Sequence, residues 1–150
     1  MSICYNLSVQ FVKSDNTYII RLEKNESVID ELTKFCEKES INTATFSGIG
    51  AVSSATLAFY NLGSKEYEFK TFSQDHEVVS LTGNVSLVEN KPFLHIHCVL
   101  SNDKFECFGG HLKKGVVGAT LEIRLTNLNI KIERELDNDT GLKLLNCSQG

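Results

Sequence analysis

The stretch "FLHIHCVLSNDKFECFGGHL", Phe93 to Leu112, alternates residue by residue, pauses at a polar turn and resumes. A period of two is the signature of a β-strand. It places Phe93, His95, His97 and Val99 on one face and Leu94, Ile96, Cys98 and Leu100 on the other. The second set is wholly apolar and reads as the core face. "SNDK" is rich in turn formers, so the segment folds back as an antiparallel neighbour. Three of the four histidines in the chain lie within these twenty residues.

The same alternation extends in both directions. "YNLSVQFV" puts Tyr5, Leu7, Val9 and Phe11 on one face, and "TYIIRL" follows the turn "KSDN" as its hairpin partner. "TATFSGIGAVSSATLAFYN", "KEYEFKTF", "HEVVSLTGNVSLV", "PFLHIHCVL", "KFECFGG", "VVGATLEIRL" and "NIKIERELD" are further strand segments, rich in β-branched and aromatic residues. One segment breaks the period. In "SVIDELTKFCEKES", Val28, Ile29, Leu32, Phe35 and Cys36 form a helical stripe. Ser27 is placed to cap that helix, and Asp30 and Glu31 in its first turn complement the helix dipole. The expected fold class is therefore α+β: a largely antiparallel sheet, curling toward a barrel, with one main helix packed against it.

A chain of 150 residues, with 41% hydrophobic and 23% charged residues, is expected to form a single domain over 1–150. The polar end, about 143–150, reads as a frayed tail. The net charge of −4 argues against a surface built to coat nucleic acid or anionic lipid. The five cysteines form no CxxC pair, and the first residues show neither a basic nor an apolar leader. Reduced thiols and a cytoplasmic location, with no membrane span, are the expectation.

His95 and His97 point the same way, about 6.5–7 Å apart along the strand. Two imidazoles so placed can converge on one cation, and a third from the next strand makes the open His₃ set of a zinc site. A two-residue loop at Asn102-Asp103 would leave His111 opposite Leu94, on the wrong face. A one-residue offset, from a longer loop or a bulge at Gly109-Gly110, would set His111 opposite His95 and Gly109 opposite His97. The alternative is chance alternation on a wet sheet face, and spacing alone leaves the two readings balanced. His76 reads as an exposed residue at a strand start. Glu77 is a candidate to orient a ligand imidazole, or an ordinary surface carboxylate. Arg134 is a candidate to pair with Asp137, or an ordinary strand-end charge. "SGIGA" sits between strands rather than opening a helix, so it does not read as a phosphate loop.

Taken in order, "FSGIGAVSSATLAFYN", "EVVSLTGNVS", "KPFLHIHCVLSND", "GGHLKKGVVGATLEI" and "ERELDNDTGL" resemble the plant-and-prokaryote conserved (PPC) domain along nearly the whole chain. The resemblance implies an α+β fold, a homotrimer, and a zinc site at His95, His97 and His111 of the prokaryotic type. Plant members add AT-hooks with an Arg-Gly-Arg-Pro core. This chain has no such sequence, so direct DNA binding is expected to be weak or to run through partners. A more distant similarity is to acetolactate decarboxylases, whose fold carries a three-histidine zinc site. Two functions follow as expectations: a trimeric zinc-binding PPC module of regulatory type, or a zinc-dependent lyase or hydrolase holding a small polar metabolite at the metal. The apolar Phe93 and Val99 suggest that the histidine face lies near a subunit boundary, with Glu77 and Arg134 available to a neighbouring site.

Overall fold

The computed structural model describes residues 9–148. Tyr5 and Leu7, read above as part of the first strand, lie outside the described residues. Strands β1 (Gln10–Ser14) and β2 (Thr17–Glu23) form the predicted hairpin, with Asp15 at φ 50 in its turn. Helix α1 spans Val28–Lys38, and strands β3 (Ala44–Asn61), β4 (Glu66–Phe72), β5 (His76–Val88), β6 (Lys91–Ser101) and β7 (Cys107–Asn127) follow. Two short strands, β8 (Arg134–Leu136) and β9 (Lys143–Leu145), pair with each other. The tail expected to fray from residue 143 thus begins with a paired strand, whose Leu145 lies opposite Arg134.

The main sheet has seven strands in the order β1-β2-β7-β6-β5-β3-β4, with β7 also pairing to β3. All its pairings are antiparallel. Strand β7 does the joining. Its first residues pair with β6, its last with β2, and its other edge follows β3 from Ala58 back to Ala44. The hydrogen-bonded circuit β3–β5–β6–β7–β3 is therefore closed. "KFECFGG" and "VVGATLEIRL", separate segments by sequence, are parts of this single strand. "SGIGA" lies inside β3, not between strands, and the β3–β5 register shifts between Gly48 and Gly50.

The helix forms where the sequence places it. Ser27 is the N-cap, accepting from the Asp30 amide. Val28, Leu32, Phe35 and Cys36 are buried, and Ile29 is half-buried. Each such side chain contributes about 1.5–3 kcal/mol when taken from water. The Phe35 ring meets Phe11 and Tyr18 edge-on, at centroid distances of 5.1 and 5.3 Å. The helix packs on β6 and β7 and shares one core with Ile96, Cys98 and Leu100 of β6 and Leu121, Ile123 and Leu125 of β7. The core face of β6 is thus the predicted one, which turns His95 and His97 to the opposite face. No helix among the described residues is long and apolar enough to cross a membrane.

Candidate metal centre

His95 and His97 stand on β6, and His111 on β7. His97 lies directly opposite His111. This differs from the expected register, in which His111 faced His95 and Gly109 faced His97; Gly109 instead faces Val99. The pairing runs from His97↔His111 to Ser101↔Cys107 without a shift, so the offset comes from the loop and not from a bulge. The loop is built by Asn102. Its side-chain oxygen accepts from the amides of Lys104 and Glu106 at 3.0 and 2.9 Å, and its carbonyl accepts from the Phe105 amide at 3.0 Å. Phe105 takes φ 62 to complete the turn. Gly110 permits β3 to close on this hairpin, since a Cβ there would stand 3.0 Å from the Ala58 carbonyl oxygen.

The register brings the three imidazoles together. Their ring centroids are separated by 5.0, 5.4 and 5.5 Å, and one nitrogen from each lies within 4.8 Å of the others. The Nε2 atoms of His95 and His97 are 3.2 Å apart. A tetrahedral ion with bonds of about 2.0–2.1 Å needs nitrogens about 3.3 Å apart, so this pair is already spaced for one. His95 and His111 are half-buried and His97 is exposed. Burial pushes the His95 imidazole below its ordinary pKa, and the charges of Arg134 and His97 add to the shift. Burial also lowers His111, to about 4, with His95, His97 and Lys113 acting in the same direction. Metals bind neutral imidazole, so both shifts keep ligands available near neutral pH.

Other candidates are distributed differently. Glu77 pairs with Ser101, four residues along β6 from His97, beyond a register shift between Val78 and Ser80. Within the chain it is not brought to the cluster. His76 is not exposed but buried, its Nδ1 2.8 Å from the Gln74 carbonyl oxygen and its ring against Phe72 and Phe108. Arg134 does not pair with Asp137, which instead accepts from the Thr140 amide and hydroxyl. It turns toward the cluster, donating to Ser86 Oγ at 2.7 Å, Asn84 Oδ1 at 2.9 Å and the Lys143 carbonyl at 2.9 Å. Its guanidinium lies over the Phe93 ring, 5.1 Å from the centroid. Sequence reasoning missed Asn84, which faces His95 across the sheet, and Tyr67, whose ring centroid is 5.7 Å from that of His111. Nothing local to either residue announces a site. The buried thiols of Cys36 and Cys98 are pushed up to about 12 and about 11 by desolvation, which leaves them as inert core residues.

The model of the Plants and Prokaryotes Conserved domain matches residues 9–129, from the first described strand through the whole of β7 and both histidine strands. The chain belongs to this family. A solved structure from Pyrococcus horikoshii, described as a plant- and prokaryote-conserved protein, is 34% identical with a TM-score of 0.82, covering 92% of this chain and 94% of that one. A protein from Bacteroides thetaiotaomicron with a provisional DNA-binding label is 28% identical, with a TM-score of 0.91, covering 94% of this chain and 99% of that one. A protein from Archaeoglobus fulgidus, described as metal-containing, is 36% identical with a TM-score of 0.82, covering 92% and 97%. Acetolactate decarboxylase from Bacillus subtilis subspecies spizizenii is 13% identical with a TM-score of 0.54. That match covers 77% of this chain and 53% of the enzyme, and the likeness is one of fold. No curated protein matches the chain.

Proposed function

We propose that His95, His97 and His111 hold one zinc ion per chain, in a homotrimeric cytoplasmic module that presents the ion to a small polar ligand. The observation that carries this reading is the convergence of three ring nitrogens within 4.8 Å. Neutral imidazoles suit zinc among the common metals, and three protein ligands leave a fourth tetrahedral position open. The metal-containing relative, at 36% identity, supports the same reading. The described cysteines are all free, which agrees with a reducing compartment.

Self-association is supported by the apolar surface left on the chain. Phe59, Phe69, Ile49 and Val79 are each more than half exposed, and β4 is an edge strand. A sheet edge and large apolar side chains of this kind are ordinarily covered by a partner. Threefold assembly of the family type would cover them.

A second reading, a zinc-dependent lyase or hydrolase, draws on the same open set of three ligands. Bound zinc would supply Lewis acidity at a substrate oxygen. The chain's own part is to fix the imidazoles on two paired strands and to keep those of His95 and His111 neutral through burial. The DNA-binding label of the Bacteroides relative favours a regulatory setting. With a net charge of −4, this domain is expected to touch DNA through partners or only weakly.

Elemental analysis of purified protein tests the reading. Close to one zinc per chain is expected, with a sharp fall on alanine substitution of any of the three histidines. Undiminished zinc in His97→Ala would remove His97 from the site.

A further inference from the structure

Arg134 is placed by three neutral acceptors and one ring, and each of them is next to the histidine cluster or leads to it. Asn84, which accepts from Nη2, is the cross-strand partner of His95. Phe93, which carries the guanidinium on its ring, precedes His95 by two residues on the same strand face. Ser86, which accepts from Nε, is the cross-strand partner of Phe93. The Lys143 carbonyl closes the arrangement from β9. Cross-strand neighbours stand about 4.5–5.5 Å apart at Cβ, and same-face neighbours along a strand about 6.5–7 Å apart. The guanidinium is therefore fixed beside His95, on the side away from His111.

The charge balance of this corner is uneven. The three imidazoles are neutral ligands, and a bound divalent ion brings two positive charges. Arg134 adds a third. Among the described residues no carboxylate hydrogen-bonds to Arg134, and no carboxylate joins the histidine cluster. Its three hydrogen bonds occupy three of the five N–H groups of the fork, leaving two for another acceptor. A half-buried cation held by neutral acceptors beside a cation site is an incomplete electrostatic arrangement, and an anion placed between the two completes it.

We infer that Arg134 is a ligand-binding residue of the histidine site, and that the small polar ligand carries a carboxylate. One carboxylate oxygen takes the open position at the metal, and the other accepts from the Arg134 fork. The planar fork matches a planar carboxylate, which a lysine ammonium would not do. Asn84 and Ser86 set the plane of the fork, and Phe93 supports it from below. This inference rests on the metal reading above and adds the chemical class of the ligand and the residue that selects it.

The test uses the full chain loaded with cobalt, whose visible spectrum reports both occupancy and ligand exchange. Cobalt content is measured first, in the wild type, Arg134→Gln and Arg134→Lys. The loaded proteins are then titrated with acetate, with its neutral isostere acetamide, and with inorganic phosphate. Equal cobalt content in all three proteins is expected. Acetate should bind the wild type at least about tenfold more tightly than Arg134→Gln, with Arg134→Lys between them, and acetamide should show no such dependence. The same acetate affinity in wild type and Arg134→Lys, at equal cobalt content, overturns the role of the fork even if Arg134→Gln does not fold. Phosphate binding tighter than acetate, with the same dependence on Arg134, overturns the assignment to a carboxylate. A wild type that takes up no cobalt or zinc at the histidines overturns the metal reading itself, and this inference falls with it.

Discussion

Replacing Gly83 by alanine should test the strand packing that sets His95. Gly83 faces Phe46 on β3 and Ile96 on β6, one residue from the Asn84 and His95 pair. A Cβ built there would lie 2.4 Å from Phe46 Cζ and 2.5 Å from the His95 carbonyl oxygen. Both are about 1 Å inside the ~3.5 Å optimum for nonbonded contact, where repulsion is steep. Phe46 is 5% exposed and packed in the core, so its ring has little room to swing aside. The other contact is backbone and moves only if β6 moves. Overpacking of this kind costs about 1–3 kcal/mol, and two simultaneous clashes place Gly83→Ala near the upper end. At about 3 kcal/mol, the melting temperature should fall by about 6–12 °C for a chain of this size. Thermal unfolding followed by circular dichroism reads the loss. Zinc affinity, measured beside it, should weaken as the His95 backbone shifts. A variant that melts within about 2 °C of the wild type and binds zinc equally would refute the claim that β3, β5 and β6 are packed without slack at this point.

Further expectations follow from the helix cap, the histidines and the assembly. Ser27→Ala removes the side-chain acceptor at the Asp30 amide and should cost about 1 kcal/mol in chemical denaturation, while Ser27→Gly should cost only a few tenths. In chelator, the metal-free protein should lose stability as pH falls from about 6.5 toward 4. The folded His111 resists protonation down to about 4, whereas the unfolded chain takes the proton first. The full shift is discounted for the half-exposed site, which leaves about 1–2 kcal/mol. His111→Asn should flatten the slope over that window, and an unchanged slope would remove His111 as its source. Sedimentation at micromolar concentration should give a trimer, and a charged residue at Phe69 should weaken it; a stable monomer that still holds zinc would confine the site to one chain.

The features legible in the sequence are those that rest on local periodicity. The helix stripe from Val28 to Cys36, its Ser27 cap and the apolar face of Leu94 to Leu100 needed only the spacing of neighbouring residues. The histidine cluster was legible as a set because a period of two fixes the face of His95 and His97. Its register was not, because Asn102 folds five residues, Asn102–Glu106, into a loop whose length depends on side-chain hydrogen bonds to the backbone. His76 is buried by Phe72 and Phe108, and Phe108 lies more than thirty residues away along the chain. Arg134 reaches Asn84 and Ser86 about fifty residues back, through a short sheet that has no periodicity of its own. Contacts of this range come from topology, and no window of the sequence displays them. The separation read between "KFECFGG" and "VVGATLEIRL" disappears for a similar reason. Register shifts between β3 and β7 absorb the irregular positions, so one strand of 21 residues runs through it.

The most direct test of the metal centre is an anomalous difference map from crystals of the zinc-loaded protein, with data collected on both sides of the zinc absorption edge. The account predicts one peak per chain that appears only above the edge, within about 2.0–2.1 Å of a ring nitrogen of each of His95, His97 and His111. A map with no peak among the three imidazoles, or a peak that persists below the zinc edge, would contradict it.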